Sequence, residues 1–278
     1  MTRPVAGLDG CPGGWLYVRE VENGQLVAGI AGDLSAVLEA IPDDTIVATD
    51  IPIGLTETGG RACDAAARDL LGWPRRASVF SAPARGVLGI GTYREACDAH
   101  RAIDGRGMSR QSFAIMAKIA EVDAVLTTGT AALRERVAEI HPEVSFSLWN
   151  GGTAMVHAKK TAAGRAERRR LVDTVWPRAV PRLEIQLGAT GRRYGVDDLY
   201  DALAALWTAR RIRAGSARTF PDEMQVDERG VRMAIVGSSK VTDPPTLDPS
   251  GWAYSLTIAG RSLLHMWCWI RHMPSSKR

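Results

Sequence analysis

Cysteine is scarce in this chain: four residues in 278, at Cys11, Cys63, Cys97 and Cys268, with no Cys-x-x-Cys pair. The five histidines add no pair at zinc spacing. Neither a disulfide framework nor a structural zinc site is expected. Aromatic residues make up only 6%. Long apolar runs are missing too. The most apolar late stretch, residues 262–273, is broken by His265, Arg271 and His272, and falls well short of the roughly 20 residues a membrane-spanning helix needs. The start, Met1-Thr2-Arg3-Pro4, leads into a strand-like run with no apolar signal core. Charge of one sign is also lacking, since 35 Lys and Arg against 31 Asp and Glu leave +4, too little to name a partner. These absences predict a reduced, cytoplasmic protein that does not enter a membrane.

What is present is a globular composition, 45% hydrophobic and 24% charged, which excludes disorder, collagen and coiled coil. The length suffices to bury a full core in one large domain. Charge is unevenly placed. Residues 159–218 hold 14 basic and 6 acidic side chains, net +8, so the remainder carries net −4. Such a segment suits either a phosphate-bearing ligand or a solvated helical face.

The first 50 residues predict a βββαβ order. Strands are expected at 5–8, 15–21 and 25–30, with Glu22-Asn23-Gly24 as a hairpin turn, then a helix over 33–41 capped by Asp33, then a strand at 45–49. Residues 55–135 read as a mainly helical insertion, with helices at 62–71, 93–103 and 111–127. Strand character resumes at 136–140, helices follow at 162–175 and 196–213, and 231–236 reads as a last strand. No linker divides the chain, so residues 1–236 are expected to form one domain. Residues 237–278 read as an accessory tail carrying three of the eight tryptophans, Trp252, Trp267 and Trp269, which offers a surface for self-association.

Among the acids, position singles out a few. Asp9 and Asp50 each end an apolar strand before a Gly- or Pro-containing turn. If those strands are parallel neighbours, their carboxylates sit side by side at one sheet edge. A bound cation or a shared proton would relieve the repulsion; the alternative is that each aspartate only caps nearby backbone amides. Asp198 and Asp201 lie three apart, on a common flank of one helix, with Ala202 and Ala205 keeping that flank thin. Glu143, in His141-Pro142-Glu143, is expected at the end of another strand, with His141 a ligand, a base or a hydrogen-bonded strand-end residue. These hard oxygen ligands suit Mg²⁺ or Mn²⁺ rather than zinc.

Many motifs, in order, resemble the domain-of-unknown-function family 429, described as predicted RNase H-like nucleases. They begin with Gly7-Leu8-Asp9-Gly10-Cys11-Pro12-Gly13-Gly14-Trp15 and Asp50-Ile51-Pro52-Ile53-Gly54-Leu55, and continue through Arg61, Cys63-Asp64, Arg68 and Lys118-Ile119. Glu139-Ile140-His141-Pro142-Glu143, Lys159-Lys160-Thr161, Gly164-Arg165 and Asp197-Asp198 with Asp201-Ala202-Leu203 complete them. The helix motif Asp198-Leu199-Tyr200-Asp201 is also similar to the catalytic helix of RuvC-type resolvases. The resemblance implies an α/β, RNase H-like fold, a mixed central sheet flanked by helices. It also implies a metal-dependent nuclease hydrolysing nucleic-acid phosphodiester bonds.

In that reading Asp9, Asp50, Asp198 and Asp201 are metal ligands and, with Glu143, catalytic. Two divalent ions about 3.5–4 Å apart would stabilise the attacking and leaving oxygens. Lys118, Lys159, Lys160, Arg165, Arg61 and Arg68 are expected to contact phosphates of DNA or RNA. Two alternatives remain: a non-catalytic module that binds nucleic acid or protein on the same fold, and a nucleotide-binding phosphotransferase, which the Asp9-Gly10 turn resembles weakly.

Overall fold

Branched and aromatic residues build the first strands, and the sheet grows beyond them. The computed structural model describes residues 2–239; residues 240–278, with the three tail tryptophans, lie outside the described residues. Strands β1 (Val5–Cys11), β2 (Gly14–Glu20) and β3 (Leu26–Ala31) form an antiparallel meander. Helix α1 (Leu34–Glu39) follows, its N-terminus capped by Asp33, which accepts from the Ala36 N–H at 2.8 Å. The chain then returns as β4 (Ile46–Thr49), parallel to β1 with Thr49 opposite Leu8.

Between β4 and the next strand come α2 (Ala62–Leu71), α3 (Tyr93–Asp104), α4 (Arg110–Ala114), α5 (Met116–Thr128) and α6 (Ala131–Arg136). Strand β5 (Val137–Glu139) lies parallel to β4, and α7 (Pro142–Trp149), α8 (Ala162–Val175), α9 (Ala179–Ala189) and α10 (Val196–Arg213) follow. Strands β6 (Ala217–Val226) and β7 (Arg232–Ser238) complete the order β3-β2-β1-β4-β5-β7-β6, with β7 parallel to β5 and β6 antiparallel at the edge. This mixed sheet with flanking helices is an α/β fold consistent with an RNase H-like arrangement.

Period-two alternation assigns the strand residues to two cores. Val5, Ile46 and Ala48 pack with α10 and α7 to α9, whereas Ala6, Leu8 and Val47 pack with α1 and α5. By the same alternation Asp9 and Asp50 belong to the α10 side. Helix α10 is buried from 199 through 209 without a polar face, as expected of a helix inside a core. Trp207 stacks on Trp149 at 5.0 Å between ring centroids.

Several elements differ from the sequence expectation. The helix expected over 111–127 is two helices that meet at Ile115 (φ −104°, ψ 3°). The break lets Phe113 and Met116 pack in a small core with α3 while Ile119, Val122 and Leu126 pack on the sheet. Glu143 does not end a strand; it lies in the first turn of α7, whose N1 residue is Pro142, a favoured place for proline. Strand β6 was hidden by Pro221 and its acids, which a sheet edge tolerates.

Gly7 decides how closely α10 approaches the sheet. A Cβ there would lie 2.1 Å from both the Ala202 carbonyl oxygen and the Leu206 nitrogen. The thin alanine flank of α10 and the bare backbone of β1 therefore meet directly. Gly7→Val is expected to destabilise the protein by about 3 kcal/mol, the upper end for overpacking, because backbone rather than a flexible side chain must give way. A denaturant midpoint unchanged from wild type would contradict this close packing.

Candidate active site

Strand pairing brings the first two acids together. Leu8 and Thr49 are register partners, and the Asp50 N–H donates to the Leu8 carbonyl at 3.2 Å, so Asp9 and Asp50 follow side by side. Helix α10, seated against Gly7, adds Asp198 and Asp201 from its first turns. Asp198 also caps its own helix, accepting from the Gly195 N–H at 2.7 Å. Asp201 is 1% exposed and Asp9 7%. The Lys159 ammonium donates to Asp201 Oδ2, while Asp201 Oδ1 is buried with no hydrogen-bond partner among the described residues.

Burial raises every carboxyl of this group, and repulsion by a neighbouring member adds to the rise at Asp9, Asp50 and Asp198. Asp9 stands well above the usual carboxylate range, first because it is buried, then because Asp201 and Asp50 are negative, with Lys159 opposing. Asp50 is raised by burial and by Asp201, again against Lys159. Asp201 is raised by burial, against the pull of Lys159 and Arg168. Asp198 is pushed up to about 6 by burial, against its Gly195 hydrogen bond, with Asp197 and Asp201 adding to the rise. Burial alone would lower the Lys159 value, but Asp201 and Asp50 overcome it and hold the ammonium charged.

A carboxyl whose folded pKa is raised stabilises the fold fully below its unfolded pKa and loses that contribution as pH rises through the folded value. For Asp198 this window runs from 3.8 to about 6. In chelator, the melting temperature is therefore expected to fall between about pH 4 and pH 6, and Mn²⁺ to remove most of that fall. A melting temperature that is flat in chelator across this range would contradict the electrostatic description.

A second layer holds the turn after β4. Arg61 donates through Nη1 and Nη2 to the two Glu139 oxygens, at 2.7 Å each, and through Nη2 to Asp64. Its Nη1 also reaches the Ile53 carbonyl at 3.0 Å, and Glu139 accepts from the Ile53 N–H at 2.7 Å. The clamp thus grips the residues just beyond Asp50, and Glu139 lies opposite Thr49 in the sheet. Cys63, Asp64 and Glu139 place ligand atoms within 4.8 Å of one another. There the Arg61 guanidinium already meets both carboxylates, and burial pushes the Cys63 thiol up, away from the thiolate a metal requires.

The other residues singled out by sequence fall into two sets. Arg61 is buried in this clamp and is not free for phosphate. Arg68, partly exposed, donates to the Val79 carbonyl and to Ser81 Oγ at 2.9 Å each. Lys159 is held by Asp201. Glu143 is paired with Arg168 through Oε1; its Oε2 is buried with no hydrogen-bond partner among the described residues, its charge is felt at Asp50, and Asp201 helps to raise it. His141 is driven down to about 4 by burial and is neutral; its Nε2 lies 3.4 Å from the Ser78 carbonyl. Lys118 covers Gly10 beside Asp9, with its ammonium 4.5 Å from the centre of the Trp15 ring. Lys160 is exposed, and half-buried Arg165 donates to its carbonyl at 2.7 Å. Glu139 ends β5 and is a site residue that the sequence reading misses, because it places Glu143 there; Asp50 likewise follows β4 directly, whereas β1 runs two residues past Asp9, which pairs with Leu16.

One comparison bears on this geometry. The family model described as "Protein of unknown function (DUF429)" matches residues 7–226, from β1 through α10 to the end of β6. The chain belongs to the DUF429 family. The DUF429 match contains Asp9, Asp50, Glu139, Lys159, Asp198 and Asp201, and ends before β7. No curated protein and no solved structure matches the chain. Among the described residues, no helix is long and apolar enough to cross a membrane.

Proposed function

We propose that this DUF429 chain is a metal-dependent phosphodiesterase acting on nucleic acid, with Asp9, Asp50, Asp198 and Asp201 as its centre. The observation that carries the reading is the Asp201 carboxylate, almost wholly buried, bonded to the Lys159 ammonium through one oxygen and unpartnered at the other, with its charge felt at both Asp9 and Asp50. A buried polar oxygen with no hydrogen bond is costly, so an unpartnered carboxylate oxygen close to further carboxylates fits a cation. The donors are all oxygen, the set that Mg²⁺ and Mn²⁺ prefer.

Asp9, Asp50 and Asp201 would hold the ion, and partly exposed Asp198 would complete the set or orient water. When bound, the ion supplies electrostatic stabilisation of the charge that develops on the phosphoryl oxygens. Asp198, with a value of about 6, suits proton acceptance near neutral pH. Lys118 and Lys160, both reaching the surface, supply positive charge for a phosphate backbone.

The test is incubation of the purified protein with labelled duplex DNA, single-stranded DNA, RNA and an RNA–DNA hybrid in millimolar Mg²⁺ or Mn²⁺. Cleavage of at least one polymer is expected, abolished by chelator and by Asp201→Asn. Tight binding of nucleic acid with no cleavage of any of them in either ion would instead favour a binding module.

A further inference from the structure

The loop before α8 carries a lysine into the carboxylate group and fixes it there. The Glu167 carboxylate accepts from the Val156 N–H at 2.8 Å and the His157 N–H at 3.0 Å, and Arg168 Nη1 donates to the His157 carbonyl at 3.2 Å. On the other side of Lys159, Thr161 caps α8, accepting from the Gly164 N–H at 3.0 Å and donating to the Ala158 carbonyl at 2.8 Å. A Cβ at Gly164 would lie 2.0 Å from the Ala158 carbonyl oxygen, so the loop rests directly on the helix backbone. Both flanks of Lys159 are therefore tied to the first turns of α8. Its ammonium bonds Asp201 Oδ2, and its side chain is 38% exposed against 1% for Asp201.

Arg168, the other cation close to Asp201, is committed to Glu143. Lys159 is thus the cation delivered to the acids. A divalent ion bound at Asp201 Oδ2 would displace this ammonium or lie against it, and like charges contending for one carboxylate oxygen exclude each other.

We propose that Lys159 is a resident cation of the site, standing where a second divalent ion would otherwise bind, so that the carboxylate group takes one Mg²⁺ or Mn²⁺ per chain. This rests on the metal-dependent reading above and narrows the two ions expected from sequence to one. The single ion uses the oxygens left open, among them Asp201 Oδ1 and the Asp9 and Asp50 carboxylates.

The experiment is the Mn²⁺ stoichiometry of the full chain, read by calorimetry and by the electron paramagnetic resonance of bound Mn²⁺. Wild type is expected to bind one ion with the spectrum of an isolated centre. Lys159→Met, similar in length and uncharged, is expected to bind two, with the coupled spectrum of adjacent ions, while Lys159→Arg keeps one. Circular dichroism checks folding, and Lys159→Gln replaces the methionine variant if that fails to fold. Two ions in wild type, or still one in the folded uncharged variant, would overturn the assignment while leaving the metal site intact. No ion in wild type would instead remove the metal-dependent reading itself, and this inference with it.

Discussion

Asp9→Asn is expected to weaken Mn²⁺ binding by about 100-fold or more, while the variant melts at a higher temperature than wild type in chelator. Altering even the outer partners of a metal ligand commonly costs 10- to 100-fold, and Asp9 is placed to be a ligand itself. The rise in melting temperature has a separate cause. Asp9 is almost wholly buried, and Asp201, Asp50 and Asp198 all repel its ionised form, which Lys159 offsets only in part. A neutral amide of the same shape removes that repulsion, and each kcal/mol relieved raises the melting temperature of a domain this size by about 2–4 °C.

With Mn²⁺ at about 100 times its dissociation constant, wild type gains about 2.7 kcal/mol from binding and the variant gains almost none. The two proteins should therefore exchange order: the variant the more stable in chelator, wild type the more stable in metal. Scanning fluorimetry in both conditions reads this directly. A variant less stable than wild type in chelator would show that its neighbours do not repel Asp9, and one equally stabilised by Mn²⁺ would show that Asp9 does not bind the ion.

Arg61→Ala is expected to destabilise the protein by about 3–5 kcal/mol, the usual cost of stripping one partner from a buried ion pair. The loss leaves Glu139 and Asp64 negative and buried, without the guanidinium that joins them. It also frees the Ile53 and Gly54 carbonyls that Arg61 holds just beyond Asp50. Removing all three charged partners by Arg61→Met, Glu139→Gln and Asp64→Asn together should cost much less than the single change, because no buried charge is then left unpaired. Chemical denaturation of the single and triple variants checks this. A small effect of Arg61→Ala, or a triple variant worse than the single, would show that the clamp is not an ion-pair network.

The parts of this molecule that were legible in sequence are those with local signals. The meander, β4, and the bounds of α2, α8 and α10 follow from branched residues, turn glycines, caps and helical spacing. The acids at the strand ends and on the flank of α10 were visible for the same reason. Elements whose signals conflict were not: β6 contains Pro221, α7 begins on Pro142, and α9 carries a proline in its first turn.

Side-chain partners escaped altogether, because they join residues far apart in the chain. Lys159 and Asp201 are 42 positions apart, and Arg61 and Glu139 are 78. A lysine near a presumed phosphate site reads as a substrate contact until the fold turns it onto a buried carboxylate. An arginine reads as a surface cation until two buried acids are found around it.

The most direct measurement is a crystal of the wild-type protein soaked in Mn²⁺, with anomalous diffraction collected at the manganese edge. The expected result is a peak bounded by Asp9, Asp50 and Asp201 oxygens, with Asp198 beside it. A peak at Cys63, Asp64 and Glu139 instead, or an ordered carboxylate group with no anomalous peak at saturating Mn²⁺, would contradict it.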